Sequence, residues 1–512
     1  MAKSELGLIS NSMWSMSSSV WSMAVAFFLT PFLISKIGID QYGLYMLVMS
    51  ISGLLGVANL GLGEATLRYV SIFHREKDID GVNRVIGSTL LIYSLIGLII
   101  AILFYFFSGL IASWLNIKAS DLKLVISILR ITAFSFGLSF VTSVYGVIPQ
   151  ALMRFDITTK VAIVQSFFQV VGTVTLLYLN YGLYEIVLWG LVTTFFIEIT
   201  NIVVAKRLIP KMTLIPKFSK AGLSEIFSYG MFSSVNGLVT IFSAQIDRIL
   251  LATFVSPAAV AAYSMPKQIL DRATNLTASA SSVLLPKISS LSDIEQIKSL
   301  YKTSTWLLMT FSMSIFMPGI VFLPKFIGVW INPEIAETSK LLTQLLCINF
   351  AFRGISEPYF AVLKGTGNIR YLSLIFICTN LLGIILAFPF LYYFEINGAG
   401  YRAITLVWIS IPISCWVLYR FLKDRSILNY LFYVLSSFFV SFIIITILLF
   451  IENFFNSFGL IPILLLWGAT SVLITFLSFK VEKYFFNYLN FSPKDRLINL
   501  YSKFKNKING KI

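Results

Sequence analysis

Three pairs of opposite charge stand four residues apart in otherwise apolar sequence: Glu64 with Arg68, Lys267 with Asp271, and Arg353 with Glu357. That spacing puts both members on one face of a helix, where they partly neutralise each other. Two more pairs are adjacent, Asp247–Arg248 and Asp271–Arg272. Helix neighbours are about 100° apart around the axis, so an adjacent pair needs a wide polar sector. Arg130, Arg402 and Glu198 complete the set. Charges inside apolar helices are costly and normally face a bundle interior or a water-filled cavity. Here the bases Arg68, Arg130, Arg248, Lys267, Arg272, Arg353 and Arg402 outnumber the acids Glu64, Glu198, Asp247, Asp271 and Glu357. If most of them line one cavity, it is mildly cationic and attracts an anion. Arginine in particular meets phosphate oxygens with paired hydrogen bonds. The competing reading for each residue is a helix-packing ion pair, or a side chain near a span end reaching for the interface. Asp247–Arg248, in SAQIDRILL, lies well inside its apolar run and is expected to mark a wet face.

Enzyme signatures are absent. There is no G-x-x-x-x-G-K-[ST] loop to cradle a nucleotide and no H-E-x-x-H metal pair, and GTGNIR at 365–370 reads as a turn. The single histidine, His74, sits in the charged loop HREKDIDGVNR. Cys347, Cys378 and Cys415 lie in apolar runs far from metal-ligand spacing and read as small core residues. No metal and no cofactor are expected.

The elements that position these residues follow from hydropathy. The chain has 512 residues, 57% hydrophobic and 12% charged, with a mean hydropathy of +0.85. Soluble proteins carry roughly 25% charged residues, and about 20 apolar residues span a bilayer as a helix. Such stretches recur along almost the whole chain, giving an all-α polytopic membrane protein with about fourteen transmembrane helices. MAKSELGLISNSMWSMSSSVW reads as the approach to a retained first helix, not a cleaved signal. The net charge of +16 sits in short loops and the tail, a topology signal and not a nucleic-acid groove. One set of loops and the tail hold about 27 Lys and Arg, which places both termini in the cytoplasm. The opposite loops hold Lys36, Lys118, Lys123, Lys325 and Lys340. In the tail, Leu497, Leu500, Tyr501, Phe504 and Ile508 recur at helical spacing between lysines. That suits a helix lying on an anionic leaflet, or a frayed basic tail that only fixes topology.

A repeat organises the spans. LISKIGIDQYGLY around Tyr45 and LATFVSPAAVAAY around Tyr263 each follow one apolar span and open the next, 218 residues apart. AFSFG at 133–137 and NFAFRG at 349–354 repeat at a similar offset. The expected plan is two six-helix lobes, 1–208 and 226–421, related by a parallel repeat and joined by a cytoplasmic linker at 209–225. An extra transmembrane hairpin follows at 422–479, then the basic amphipathic tail at 480–512. Glycines in NLGLGEA at 59–65, and Pro266 and Pro286 around the eighth span, are candidate helix breaks.

The segments IGIDQYGLYMLV, NLGLGEATLRYVS and QIDRILLATFVSPAAVAAYSMPKQI resemble the polysaccharide-transporter branch of the MOP superfamily. That branch includes Wzx-type O-antigen flippases, with lipid II flippases and MATE drug antiporters as more distant members. The resemblance covers about residues 8–421. It implies two lobes in a V around a central cavity, working by alternating access. The implied cargo is an oligosaccharide on undecaprenyl pyrophosphate, turned across the bacterial inner membrane, with membrane lipid and polysaccharide polymerase machinery as partners. By the same resemblance Arg68, Arg248, Lys267, Arg272 and Arg353 are candidates for a cationic, substrate-binding lumen. Without an ATPase loop, a gradient or downstream consumption must drive the cycle. Asp247, Asp271, Glu64 and Glu357 are then candidate proton or sodium carriers. The alternative, a MATE-like multidrug antiporter, would need an acidic pocket, whereas the intramembrane balance leans basic. A non-transporting scaffold for glycan assembly would leave that many buried charges without a purpose.

Overall fold

The computed structural model describes residues 2–489, apart from 60, 282–283 and 292. Among them every regular element is helical. The expected tail helix beyond residue 489 lies outside the described residues. In chain order the α-helices are α1 (Ala2–Leu55), α2 (Leu62–Arg75), α3 (Ile79–Ser113), α4 (Leu122–Ala151), α5 (Phe155–Tyr178) and α6 (Leu183–Leu208). Then come α7 (Lys220–Phe254), α8 (Pro257–Ser281), α9 (Leu284–Ser289), α10 (Ile294–Phe316), α11 (Gly319–Trp330) and α12 (Pro333–Thr338). The chain continues with α13 (Lys340–Phe352), α14 (Ser356–Gly365), α15 (Ile369–Arg420), α16 (Ile427–Phe450) and α17 (Leu460–Leu489).

Breaks in these helices fall where the sequence weakens them. Gly38 turns α1 at φ +81°, a conformation open to glycine because it lacks a Cβ. NLGLGEA interrupts the second span: a 3₁₀ turn at Gly56–Asn59 is followed by Gly61 at φ +67°, which opens α2. α15 breaks at Glu395, with φ +49°. Ten helical stretches among the described residues are long and apolar enough to cross a membrane. Three of them, Val20–Leu55, Ile294–Trp330 and Ile369–Arg420, are 36, 37 and 52 residues long, well beyond the roughly 20 that one crossing needs. The expected fourteen are not all recovered, for two physical reasons. α8 carries Lys267, Asp271 and Arg272 close together, and the segment read as 341–363 is cut into α13 and α14 by a 3₁₀ turn at Arg353–Ile355.

The chain forms two compact units, residues up to 264 with 380–396, and residues 265–379 with those from 397 on. In the first, α2, α3 and α4 share a core that includes Leu62, Val82, Ile86, Tyr93, Val144 and Ile148. The Tyr93 and Phe140 rings lie 4.3 Å apart there. The segment after α6 is stitched back onto α3: Thr213 N donates to Asn83 Oδ1 at 2.7 Å, and Lys217 N to the Gly87 carbonyl at 3.0 Å. Ser219 then caps α7 through the Gly222 amide.

In the second unit the α10–α11 stretch is the hub. Of its most apolar window 83% is buried, against 39% or less in every other candidate span. Because lipid is as apolar as leucine, helices associate there through close packing and hydrogen bonds. α10 does both. Trp306 donates to Ser436 Oγ at 3.1 Å, Thr310 bonds Ser437, and Thr475 donates to Ser314 Oγ at 2.8 Å. Trp467 donates to the Ile315 carbonyl at 2.9 Å. The hairpin α16–α17 is thereby fixed to α10 by hydroxyl and indole contacts, not by apolar surface alone.

Candidate functional site

The α7–α8 hairpin of the first unit is built around a turn at Val255 and Ser256. Ser256 Oγ accepts the Ala259 amide at 3.2 Å, starting α8. The turn is pinned from outside: Asn116 donates its amide to the Ala252 carbonyl and its side chain to the Val255 carbonyl, at 2.9 and 2.6 Å. Asp247 and Tyr263 stand eight residues either side of Val255, so they meet about 12 Å down the hairpin. There the Tyr263 hydroxyl donates to Asp247 Oδ2 at 2.6 Å. Both residues are 2% exposed. One residue on, Arg248 donates from Nε to Ser264 Oγ at 3.0 Å and from a terminal nitrogen to Gln245 Oε1 at 3.2 Å. Asp247 is therefore packed between the helices and does not look onto a wet face. Arg248, half-buried and held by neutral groups, is the accessible member of the pair.

A second group forms within the other unit. Lys267 and Asp271 make the expected i,i+4 ion pair at 3.0 Å. The Lys267 ammonium lies 5.8 Å from the centre of the Phe350 ring and the Arg353 guanidinium 5.1 Å from it. The negative face of an aromatic ring attracts both cations, by about 0.5–1 kcal/mol each at exposed positions. The expected Arg353–Glu357 pair is not formed. An i,i+4 contact requires continuous α-helix, and the 3₁₀ turn that begins at Arg353 breaks that register. Glu357 accepts a hydrogen bond from Ser281 Oγ at 3.3 Å instead. Arg353 is exposed, and no carboxylate lies within ion-pair distance of it among the described residues. Asp271 is answered by Lys267, so among the described residues Arg353 carries a positive charge with no acidic partner. Arg272, half-buried, follows on the same helix.

The remaining candidates have surroundings of their own. Glu64 and Arg68 lie exposed on α2, away from its buried Leu62, Ala65, Thr66 and Val70, and Arg68 stacks on Tyr69 at 5.7 Å. Arg130 is exposed, donates to Ser108 Oγ at 3.2 Å and sits over Tyr105. Glu198 is buried and accepts from Ser139 and Asn201, while Arg402 is buried on α15. Among the described residues no three His, Cys, Asp or Glu side chains gather as a metal ion would require. Sequence reasoning missed Phe350, Ser264, Gln245 and the bond from Tyr263. Signals existed for two of them: Phe350 is three residues before Arg353 in NFAFRG, and Tyr263 anchors the repeat.

This helical architecture is shared with solved membrane transporters. The lipid II flippase MurJ in an inward closed conformation superposes with a TM-score of 0.70 at 17% identity, covering 94% of this chain and 100% of that one. An inward-facing multidrug resistance MATE family transporter of the MOP superfamily gives 0.62 at 13% identity, over 81% and 96%. The fold is thus the one those flippases and antiporters have in common. The family described as polysaccharide biosynthesis protein matches residues 33–340; that is more than half of the chain, and the chain belongs to this family. A candidate O-antigen transporter of Shigella flexneri is 20% identical over 411 residues, 79% of this chain and 94% of its own.

Proposed function

We propose that this multi-pass membrane protein is a flippase that carries undecaprenyl-pyrophosphate-linked oligosaccharide from the cytoplasmic to the periplasmic leaflet of a bacterial inner membrane by alternating access. The observation that carries the reading is Arg353: an exposed guanidinium over the Phe350 ring that Lys267 also meets, with no acidic partner among the described residues. Such a group suits a diphosphate, whose oxygens accept paired hydrogen bonds from arginine. A sugar–pyrophosphate head cannot enter hydrocarbon unaided, since each unsatisfied polar group costs several kcal/mol there. Arg248, held by Ser264 and Gln245, and Arg68 and Arg272 supply further positive charge along the route. The Shigella relative supports an oligosaccharide cargo over a drug.

In this reading residues 1–208 and 226–421 are the two lobes, 209–225 the cytoplasmic linker and 422–479 an appended hairpin, with both termini cytoplasmic. Protons or sodium ions drive the cycle through Asp271, Glu357 and Glu64. One charge crossing the membrane supplies about 2.3 kcal/mol per 100 mV. The test is depletion of the protein in its own cell. Lipid-linked oligosaccharide is expected to accumulate on the inner leaflet and surface polysaccharide to fall, and Lys267→Gln/Arg353→Gln is expected not to restore either. Normal surface polysaccharide together with lost export of cationic dyes would replace this reading with the multidrug one.

A further inference from the structure

Helices α1, α4, α5 and α6 of the first unit border an open-mouthed cavity of about 480 Å³. Its size falls within the roughly 300–1,000 Å³ of ordinary ligand pockets. No Asp, Glu, Lys, Arg or His lines it. The wall is instead dense in hydroxyls and amides, of which some are already used. Thr193 donates to Gln169 Oε1 at 2.6 Å, and Ser139 donates to the buried Glu198 at 3.4 Å.

Others are unused. Thr132, Ser135, Gln165, Ser166, Thr194 and the Tyr45 hydroxyl line the cavity without a side-chain hydrogen-bond partner among the described residues. Serine and threonine in a helix commonly bond back to the carbonyl four residues earlier, as Ser52, Thr142 and Thr200 do here. Thr132, Ser135, Ser166 and Thr194 forgo that bond. Their polar atoms are not shut away in the packing but stay accessible from the open cavity. Packing alone gives no reason to gather several around one space.

We infer that this cavity binds an uncharged sugar of the cargo. A cationic ligand would need an acid in the wall and an anionic one a base, and neither is present. A polyol matches a lining that both donates and accepts, and Tyr45 and Phe136 add aromatic surface to the wall for the apolar side of a sugar ring. The inference rests on the flippase reading and divides its labour: cationic groups hold the diphosphate, and the neutral cavity reads the saccharide.

Native mass spectrometry of the purified full chain tests this. The probes are undecaprenyl pyrophosphate bare and bearing N-acetylglucosamine, galactose or glucose. The wild type is expected to prefer at least one sugar-bearing lipid over the bare one. Gln165→Leu and, as a milder change, Ser166→Ala should each cut that preference about fivefold, the worth of one neutral hydrogen bond, with affinity for the bare lipid unchanged. An unaltered preference in both variants overturns the inference. So does a wild type that holds bare and sugar-bearing lipids equally, and that result leaves the diphosphate reading standing. Retention of none of the four lipids by the wild type instead sinks the flippase reading, and this one with it.

Discussion

Removing a single hydroxyl tests how the α7–α8 hairpin holds its buried acid. Tyr263→Phe keeps the ring but deletes the O–H that donates to Asp247 Oδ2 at 2.6 Å. With both residues 2% exposed, water does not reach in to replace the donor. Hydrogen bonds to charged groups contribute about 1.5–3 kcal/mol in soluble proteins, whereas those between membrane helices average about 0.6 and reach about 1.7 kcal/mol. This bond is short and buried, which puts it at the top of the membrane range. A coupling of about 1.5 kcal/mol follows. The assay is a double-mutant cycle of Tyr263→Phe and Asp247→Asn, read as unfolding by SDS titration in mixed micelles. Each single variant should lose stability, and the double variant little more than either. Independent sites add within about 0.3–0.5 kcal/mol. A coupling inside that margin would refute the claim that Tyr263 fixes the carboxylate.

Acid stability offers a second check, at the α15–α16 loop. Asp424 Oδ2 lies 2.6 Å from Lys302 Nζ, and Ser426 donates to Asp424 Oδ1 from its amide and hydroxyl at 2.8 and 2.6 Å. Burial, the largest single influence, pushes the carboxyl up, but the Lys302 and Ser426 donors together outweigh it and hold its pKa down at about 2, against an ordinary 3.8. A depressed folded-state pKa stabilises above the unfolded value and stops doing so below the folded one. The wild type should therefore lose about 2 kcal/mol relative to Asp424→Asn as pH falls from near 4 to 2, seen in paired unfolding curves. A constant gap between the two curves would count against the assignment. Close packing gives a third check: a Cβ on Gly43 would meet the Pro257 carbonyl oxygen at 1.9 Å, whereas one on Gly56 meets only the end of Ile241, at 3.8 Å. Gly43→Ala should cost about 3 kcal/mol, the upper end for overpacking, or more. Gly56→Ala should be far milder, and equal melting losses would contradict the close approach of α1 to α8.

Much of this was legible in the sequence because membrane helices declare themselves by composition, and because breaks have residue-level causes. Gly38 and Ser256 interrupt their helices seven residues before Tyr45 and Tyr263, at the repeat offset read from the chain alone. What stayed hidden depended on where helices end. The i,i+4 rule pairs Arg353 with Glu357 only if the helix runs on, and the turn at Arg353–Ile355 is a local choice that spacing does not reveal. The Tyr263–Asp247 bond needs the hairpin turn placed to the residue. Hydropathy also treats a buried carboxylate and a cavity-facing one alike, so Asp247 read as wet. The neutral cavity left no mark either: Ser135, Ser166 and Thr194 look like ordinary helix residues until the partners they lack are seen.

Transbilayer movement of the cargo is the most direct test. Proteoliposomes would hold a fluorescent undecaprenyl-pyrophosphate oligosaccharide, and an external quencher would report the leaflet it occupies. Wild-type protein is expected to carry the lipid between leaflets. Lys267→Gln/Arg353→Gln, reconstituted at equal density, is expected to slow that movement at least tenfold, about the loss of one charge-assisted hydrogen bond. Equal rates in the wild type and the double variant would contradict the role given to the cations around Phe350. An inert wild type that exchanges cationic dyes in the same vesicles would contradict the flippase itself.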